Sequence, residues 1–141
     1  MSDLLERLRT RGWRLTPQRR VVAEVLHGDH VHLSAETVHG LAQQRLPEIS
    51  LATVYNTLNE LVSLGEVQEV AAGEGPKRYD PKVGQRHQHL VCIRCNELLD
   101  VLPDGEDRLG LSAFEQRGYE ILDVKLLFRG VCPACQSVTA P

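Results

Sequence analysis

The four cysteines constrain the fold of this chain more than any other residues, because they form two pairs of identical spacing. Cys92 and Cys95 enclose two residues, and so do Cys132 and Cys135. In a reducing compartment such pairs more often bind a metal than form disulfides. Two such turns can present four thiolates to one Zn(II) as a tetrahedron and leave no position for water. The spacing predicts a structural zinc site that stabilises a small lobe.

A redox centre and an iron–sulfur cluster are the alternatives for these cysteines. A redox pair usually stands at a helix start after a strand. Cys92 instead ends a strand-like run, and IRCNEL is typical of a tight turn. The 36 residues between the pairs exceed the commonest spacing of about 15 to 20 in zinc ribbons, but a helix and a strand can fill them. The sequence favours structural zinc.

Four amphipathic helices are predicted in the first half of the chain. Apolar spacing places them at about 3–11, 17–27, 35–46 and 51–64. Thr16, Ser34 and Ser50 are candidate N-caps, and Gly65 fits a left-handed C-terminal cap. The segments EVQEVAA and KRYD, joined by GEG, predict a hairpin. Three compact helices and a hairpin predict a winged helix-turn-helix, with a helical bundle and an incidental hairpin as the alternative.

The second half has a different pattern. PKVGQR is typical of a hinge, and the apolar stretches HQHLVCIRC, ELLDVL and ILDVKLLFRGVC predict three strands. DRLGLSAFEQRG, between the second and third strands, predicts a helix. We expect an α+β protein with a winged-helix domain over 1–82 and a small α/β domain over 83–141.

Composition limits the classes of protein. A hydrophobic content of 42% with 25% charged residues is ordinary for a soluble globular protein. No apolar run approaches the roughly 18 to 20 residues of a membrane span, and the N-terminus lacks the apolar core of a signal peptide, so we expect a cytoplasmic protein without membrane partners. The net charge of -3 argues weakly against bulk nucleic-acid affinity, yet residues 1–20 hold six arginines against two acidic residues.

Histidines and carboxylates indicate a second metal. His87 and His89 alternate on a predicted strand, so their rings leave the same face, whereas Cys92 leaves the opposite face. One strand can therefore supply two separate sites. Further donors occur at Asp80, Asp100, His27, His30 and His32. A His/carboxylate set without thiolate suits Fe(II), Mn(II) or another borderline to hard divalent ion. The alternatives are surface histidines, an ordinary turn residue at Asp80 and a surface strand residue at Asp100.

Several motifs together resemble the ferric uptake regulator family of bacterial metal-dependent repressors. They are RLTPQRRVVAEVL, HLSAETV, PEISLATVYNTLNELVSLGEV, RYD, HQHLVCIRCNELLDV and GVCPAC, and they span nearly the whole chain. The resemblance implies a homodimer that binds operator DNA through its N-terminal domain, with structural zinc in the C-terminal domain. It also implies a regulatory metal between the domains, held by His32, Asp80, His87, His89 and Asp100; His30 is an alternative to His32.

The aspartate at position 100 separates two branches of that family. Iron-responsive members typically have glutamate there, while peroxide-sensing members have aspartate, so Asp100 favours a peroxide-responsive repressor. The resemblance then implies His32 or His87 as the residue that peroxide oxidises. The sequence departs from the family at Val124, where members with an additional metal site carry histidine six residues before the glycine of GxCxxC. A complete additional site is not expected.

The predicted fourth helix is the candidate DNA reader. Its first turns would enter the major groove, where Asn56 could read adenine and Tyr55 could contact thymine methyls or phosphate. The candidate DNA-binding residues are Ala52, Thr53, Tyr55, Asn56, Arg14, Arg19 and Arg20. The alternatives are a core aromatic at Tyr55 and a solvated face for the arginines.

Two other functions compete with a peroxide sensor. One is a metal sensor of the same fold without peroxide chemistry. The other is a non-haem iron enzyme with an open triad of histidines and a carboxylate. The winged-helix pattern and a site filled by five protein ligands argue against an enzyme.

Overall fold

The computed structural model describes residues 3–27, 32–71, 75–83 and 87–137. The chain separates into two compact units, Met1–Gln85 and Arg86–Pro141. Among the described residues, none of the helices has the length and apolar character needed to cross a membrane.

The first unit contains four helices that begin at side-chain caps. They are α1 Leu4–Thr10, α2 Pro17–Val25, α3 Ala35–Gln43 and α4 Leu51–Ser63. Asp3, Thr16, Ser34 and Ser50 precede them, and each side chain accepts a hydrogen bond from the backbone N–H three residues later. Such caps satisfy N–H groups that have no partner inside the helix. All four predicted helices are confirmed.

Two of these helices end earlier than their apolar spacing predicts. After Gln43 the chain tightens, because the N–H groups of Gln44 and Arg45 donate to carbonyls three residues back rather than four. The same tightening occurs at His27, beyond the end of α2. Leu46 therefore lies outside α3 although it continues the apolar pattern.

A three-stranded antiparallel sheet completes the first unit. Its strands are β1 Leu33–Ser34, β2 Gln68–Val70 and β3 Arg78–Asp80, in the order β1-β3-β2. The predicted hairpin is present as β2 and β3, while β1 was not predicted. Because β3 pairs with both other strands and Tyr79 is buried in the core, the alternative of a bundle with an incidental hairpin is wrong. The first unit is a winged helix.

The core of this unit anchors α4. Val54, Leu58 and Leu61 on one face of α4 are 0% exposed and belong to one cluster with residues from the other helices and from the sheet. The opposite face carries exposed residues, including Ala52, Tyr55 and Asn56. The helix is thus fixed on one side and presented on the other.

The second unit is built on a mixed sheet. Its strands are β4 Gln88–Cys92, β5 Leu98–Val101 and β6 Leu127–Gly130, in the order β5-β4-β6. Strand β5 is antiparallel to β4 and β6 is parallel to it. All three predicted strands are present, although only four residues of the long stretch 121–132 form β6.

The helix predicted from DRLGLSAFEQRG is largely wrong. Only a 3-10 turn, Glu106–Arg108, and the short α5, Ala113–Gln116, form in this stretch. Ser112 caps α5 at its start, and Arg117 ends it with a left-handed φ of 51°. A last short helix, α6 Pro133–Gln136, was not predicted and begins after Cys132.

The second unit buries few apolar side chains. Val91, Cys92 and Leu98 are its buried hydrophobic residues among those described. Several large apolar side chains are instead strongly exposed: Leu102 by 80%, Phe114 by 83%, Tyr119 by 71% and Leu122 by 86%. Exposed apolar surface of this extent usually marks an interaction site.

Candidate metal centres and DNA-contacting residues

The four cysteine sulfurs meet at one end of the second sheet. Cys92 ends β4 and Cys95 lies in the turn after it, while Cys132 and Cys135 flank the start of α6. Their sulfurs lie within 4.8 Å of one another. The strands bring the two pairs together because β6, which leads into the second pair, runs parallel to β4 in direct register with Cys92 opposite Gly130.

Backbone contacts preorganise these turns. The Sγ of Cys92 accepts hydrogen bonds from the N–H groups of Cys95, at 3.5 Å, and Cys132, at 3.4 Å. These bonds lower the pKa of Cys92 to about 6, with the Cys95 N–H as the largest cause. The neighbouring sulfur of Cys132 is the largest cause that raises the pKa of Cys135, to about 12. All four thiols can ionise together at this spacing only when a cation offsets their mutual repulsion.

The sulfur positions fit Zn(II). Four sulfurs at about 2.3 Å from one ion lie roughly 3.8 Å apart in a tetrahedron. The observed distance between the Sγ atoms of Cys95 and Cys132 is 3.8 Å. The set contains no oxygen or nitrogen donor, so its chemistry suits a structural metal rather than one that must leave a position open.

His32 and Asp80 form a buried pair in the first unit. Strands β1 and β3 are antiparallel, with Leu33 opposite Tyr79. His32, one residue before Leu33, therefore lies beside Asp80, one residue after Tyr79. The Nε2 of His32 lies 3.4 Å from Oδ2 of Asp80, and the two side chains are 4% and 0% exposed. The other oxygen, Oδ1, accepts a hydrogen bond of 2.8 Å from the Lys82 N–H.

His87, His89 and Asp100 form the corresponding group in the second unit. His89 lies directly opposite Asp100 in the register of β4 and β5. The Nε2 atoms of both histidines are 3.4 Å from Oδ1 of Asp100, and all three side chains are at most 6% exposed. The two rings lie edge to face with centroids 4.9 Å apart. The alternatives of surface histidines and a surface aspartate are therefore wrong.

Both groups have distances that suit metal ligands. A separation of 3.4 Å is longer than the roughly 2.9 Å typical of a hydrogen bond with nitrogen as donor. Donors that share one divalent ion at about 2.1 Å lie roughly 3.0 to 3.5 Å apart. Imidazole nitrogen and carboxylate oxygen without thiolate form a donor set for iron or manganese. His30, the alternative ligand, lies outside the described residues.

The predicted DNA-contacting residues of α4 lie in its first two turns. Ala52, Tyr55 and Asn56 are exposed, while Thr53 is half-buried and takes part in the cap with Ser50. Tyr55 is 36% exposed, so it is not a core aromatic.

A residue that the sequence analysis missed holds the hydroxyl of Tyr55. The hydroxyl donates a 2.8 Å hydrogen bond to Oε1 of Glu36 in α3. This bond lowers the pKa of Glu36 and raises the pKa of Tyr55. No sequence signal pointed to Glu36, because the contact depends on how α3 and α4 pack.

The three predicted arginines differ in their surroundings. Arg14 and Arg20 are exposed. Arg19 is half-buried: its guanidinium lies 4.4 Å from the centre of the Trp13 ring and 2.8 Å from a carboxylate oxygen of Glu60. It also donates to the carbonyl of Arg14 at 2.9 Å. The side chain of Arg19 is therefore held by partners within the protein, whereas the side chains of Arg14 and Arg20 are exposed.

The winged helix and the two kinds of donor set define a DNA-binding, metal-dependent protein, and comparison with known proteins gives its family. The model of the ferric uptake regulator family matches residues 10–129. A ferric uptake regulation protein of Synechococcus elongatus is 36% identical over 96% of this chain and 94% of its own length. The peroxide operon regulator of Bacillus subtilis is 31% identical over 96% of this chain and 92% of its own.

A solved structure gives the same result. The ferric uptake regulator from Francisella tularensis with iron has a TM-score of 0.75 and 25% identity, covering 89% of this chain and 96% of that one. The chain belongs to the ferric uptake regulator family. It is a metal-dependent transcriptional regulator, and members of this family are regulators rather than enzymes, so the competing hypothesis of a non-haem iron enzyme is wrong.

Proposed function

We propose that the chain is a peroxide-sensing repressor that binds operator DNA as a homodimer when Fe(II) or Mn(II) occupies a regulatory site. Its ligands are His32, Asp80, His87, His89 and Asp100. The observation that carries the proposal is the pair of buried groups in which histidine nitrogens face an aspartate oxygen at 3.4 Å. A separate structural Zn(II) is held by Cys92, Cys95, Cys132 and Cys135.

The division of the ligands between two units supports a switch. His32 and Asp80 belong to the first unit, and the other three ligands belong to the second. An ion that needs ligands from both units binds tightly in one domain arrangement, so its binding shifts the population toward that arrangement. We assign DNA binding to residues 1–82 and dimerisation to residues 83–141.

The homodimer would present two copies of α4 to DNA. Helices that read successive major grooves must lie roughly 34 to 36 Å apart. In this proposal the metal fixes that separation, and Ala52, Thr53, Tyr55 and Asn56 enter the groove. Arg14 and Arg20 contact the DNA backbone, and Arg19 contributes through its positive charge beside them. Such a repressor acts on the chromosome in the cytoplasm.

Peroxide release follows from the chemistry of the ligands. Fe(II) held by these five ligands would supply the redox chemistry that activates hydrogen peroxide, whereas Mn(II) would do so poorly. In the net reaction the imidazole of His32 or His87 would be oxidised by two electrons: it would gain one oxygen atom from hydrogen peroxide, and the other oxygen atom would leave as water. The oxidised ring is a poorer donor, so the five-ligand site loses affinity and the operator is released. Asp100 supports this branch through the resemblance described above, which implies aspartate at that position in peroxide-sensing members of the family.

Anaerobic operator binding tests the proposal. Protein loaded with Fe(II) or with Mn(II) is titrated with operator DNA before and after stoichiometric peroxide, and its peptides are then mapped by mass. We expect both forms to bind, only the iron form to be released, and the peptide bearing His32 or His87 to gain one oxygen atom. Oxygen gained only at cysteines would refute the histidine mechanism.

The second candidate is a regulator of metal uptake without peroxide sensing. It is supported by the ferric uptake regulation protein that is 36% identical to this chain. In that case the iron-loaded protein keeps its operator after peroxide and loses it only when the metal is removed.

A further inference from the structure

Arg7 in α1 joins three parts of the first unit. Its Nε donates to Oε2 of Glu66 at 2.7 Å. Its Nη2 donates to the backbone carbonyls of Glu66, at 3.3 Å, and of Pro81, at 3.0 Å. The side chain thus connects α1, the end of α4 and the segment that follows β3.

The Glu66 carboxylate at the centre of this contact is buried. Glu66 is 8% exposed and lies three residues beyond Ser63, the last residue of α4. Burial opposes its ionisation, but hydrogen bonds and charges from Arg7 and Arg11 outweigh that effect and lower the pKa of Glu66. The ion pair is therefore maintained at neutral pH and fixes the guanidinium of Arg7.

A single peptide group links the hydrogen bond between Arg7 and Pro81 to Asp80, one of the candidate metal ligands. The carbonyl of Pro81 and the N–H of Lys82 belong to the same planar unit. Arg7 binds the carbonyl end of that unit, and Oδ1 of Asp80 accepts the hydrogen bond from its N–H end. The orientation of this one peptide therefore sets the Asp80 carboxylate, whose Oδ2 faces His32.

We propose that Arg7 is a positioning residue for the regulatory metal: it holds the Pro81–Lys82 peptide, and through it the Asp80 carboxylate, against the end of α4. This inference rests on the proposed function. Partners that orient a metal ligand without touching the metal commonly change affinity by about 10- to 100-fold. The planar guanidinium suits this role because its fork of donors can bind Glu66 and Pro81 together.

Arg11 provides a matched control. It directly follows Thr10, the last residue of α1. Its side chain pairs with Glu66 at 3.1 Å and donates to the Leu64 carbonyl at 2.9 Å. The structure gives it no hydrogen bond to Pro81 among the described residues. Arg7→Gln and Arg11→Gln each remove one partner of Glu66, but only Arg7→Gln removes the contact that leads to Asp80.

The test uses the full-length zinc-containing protein. Two readouts are amide hydrogen exchange at Lys82 without the regulatory metal and the affinity for Mn(II). For Arg7→Gln we expect faster Lys82 exchange and about tenfold weaker Mn(II) binding. For Arg11→Gln we expect a lower Tm with both readouts close to those of the parent protein. Equal effects of the two substitutions on exchange and affinity would refute the role of Arg7.

A second variant covers the case in which Arg7→Gln fails to fold. Arg7→Lys retains the charge beside Glu66 but lacks the fork, so it should fold and still weaken Mn(II) binding; parental affinity and parental Lys82 exchange would overturn the inference. If the parent protein itself bound no Mn(II) in addition to zinc, the proposed function would fail instead. The two failures are therefore distinguishable.

Discussion

At the scale of single residues, the contact between Tyr55 and Glu36 changes what Tyr55 can offer to DNA. The sequence allowed the tyrosine either an apolar contact with a thymine methyl or a hydroxyl contact with phosphate. The hydroxyl already donates to Glu36, and the carboxylate would repel a phosphate at the same place. The ring is therefore the part of Tyr55 that we expect to contact the base.

Substitution of Tyr55 separates these two roles. Phosphate contacts steepen the salt dependence of DNA binding, so loss of one changes the logarithmic slope by about one. We expect Tyr55→Phe to leave that slope unchanged and to weaken operator binding by less than about tenfold. Tyr55→Ala, which removes the ring as well as the hydroxyl, is the comparison. Operator titrations at several salt concentrations measure this slope. A lower slope for Tyr55→Phe than for the parent protein would contradict the prediction.

The residue types of the candidate sites were readable from the sequence because their chemistry is distinctive, while the choice of His32, Asp80 and Asp100 as ligands came from the family resemblance. Thiolates in CxxC pairs, alternating histidines and nearby carboxylates pointed to metal without any knowledge of the packing. Asp80 followed by Pro81 and Lys82 also has a turn signature, in which an aspartate side chain accepts a backbone N–H two residues on. The partners Glu36 and Arg7 lacked such a signature, because their contacts join segments distant in sequence.

At the scale of elements, prediction succeeded where local signals were sufficient. The four helices of the first unit have caps and long apolar periods, so they were found. Strand β1 has only two residues and exists because it pairs with β3, a contact that leaves no local pattern. The prediction failed between residues 107 and 126, before β6, for the opposite reason. The apolar residues there suggested a helix and a long strand, but many of them are exposed, including Leu122.

The attachment of α4 can be measured by removing part of its buried face. Leu58 is 0% exposed, so Leu58→Ala should cost about 2 to 5 kcal/mol of unfolding free energy. Leu51→Ala, at an exposed position of the same helix, should stay within about 0.5 kcal/mol of the parent. Urea unfolding of both variants provides the comparison. Similar losses in the two would contradict the assignment of the buried face.

The attachment of α1 should depend on pH through Glu66. Its pKa in the folded protein is lower than its ordinary value of 4.5, so its ionised form stabilises the fold fully above that value. The contribution is lost as pH falls through the lower folded pKa. We expect Glu66→Gln to be less stable than the parent near neutral pH and to approach it in acid. A stability difference that does not change with pH, measured by urea unfolding, would oppose this view.

At the scale of the whole molecule, the two units are stabilised in different ways. The first unit has an extensive apolar core. The second has few buried apolar residues, so it must depend on its four cysteines and on covering its exposed apolar side chains. Its metal and the homodimer are therefore expected to contribute to its folding as well as to function.

Dimerisation can be tested at Phe114, which is 83% exposed within one chain. Phe114→Asp should leave the winged helix of the first unit folded but weaken self-association by about 30-fold or more, as for a central interface residue. Leu41→Asp, at an exposed position of the first unit, should not weaken it. Sedimentation equilibrium measures both. Parental association of the Phe114 variant would place the interface elsewhere.

The parallel pairing of β6 with β4 also has a consequence for biosynthesis. Strands β4 and β5 are translated directly after the first unit, but the other neighbour of β4, β6, and the second cysteine pair come near the end of the described chain. A ribosome that has translated the chain through β5 has produced every residue of the winged helix, while the second sheet still awaits one edge strand and two of its four cysteine sulfurs. The winged helix can thus fold first. Zinc can bind all four cysteines of the second unit only after Cys135 has left the exit tunnel.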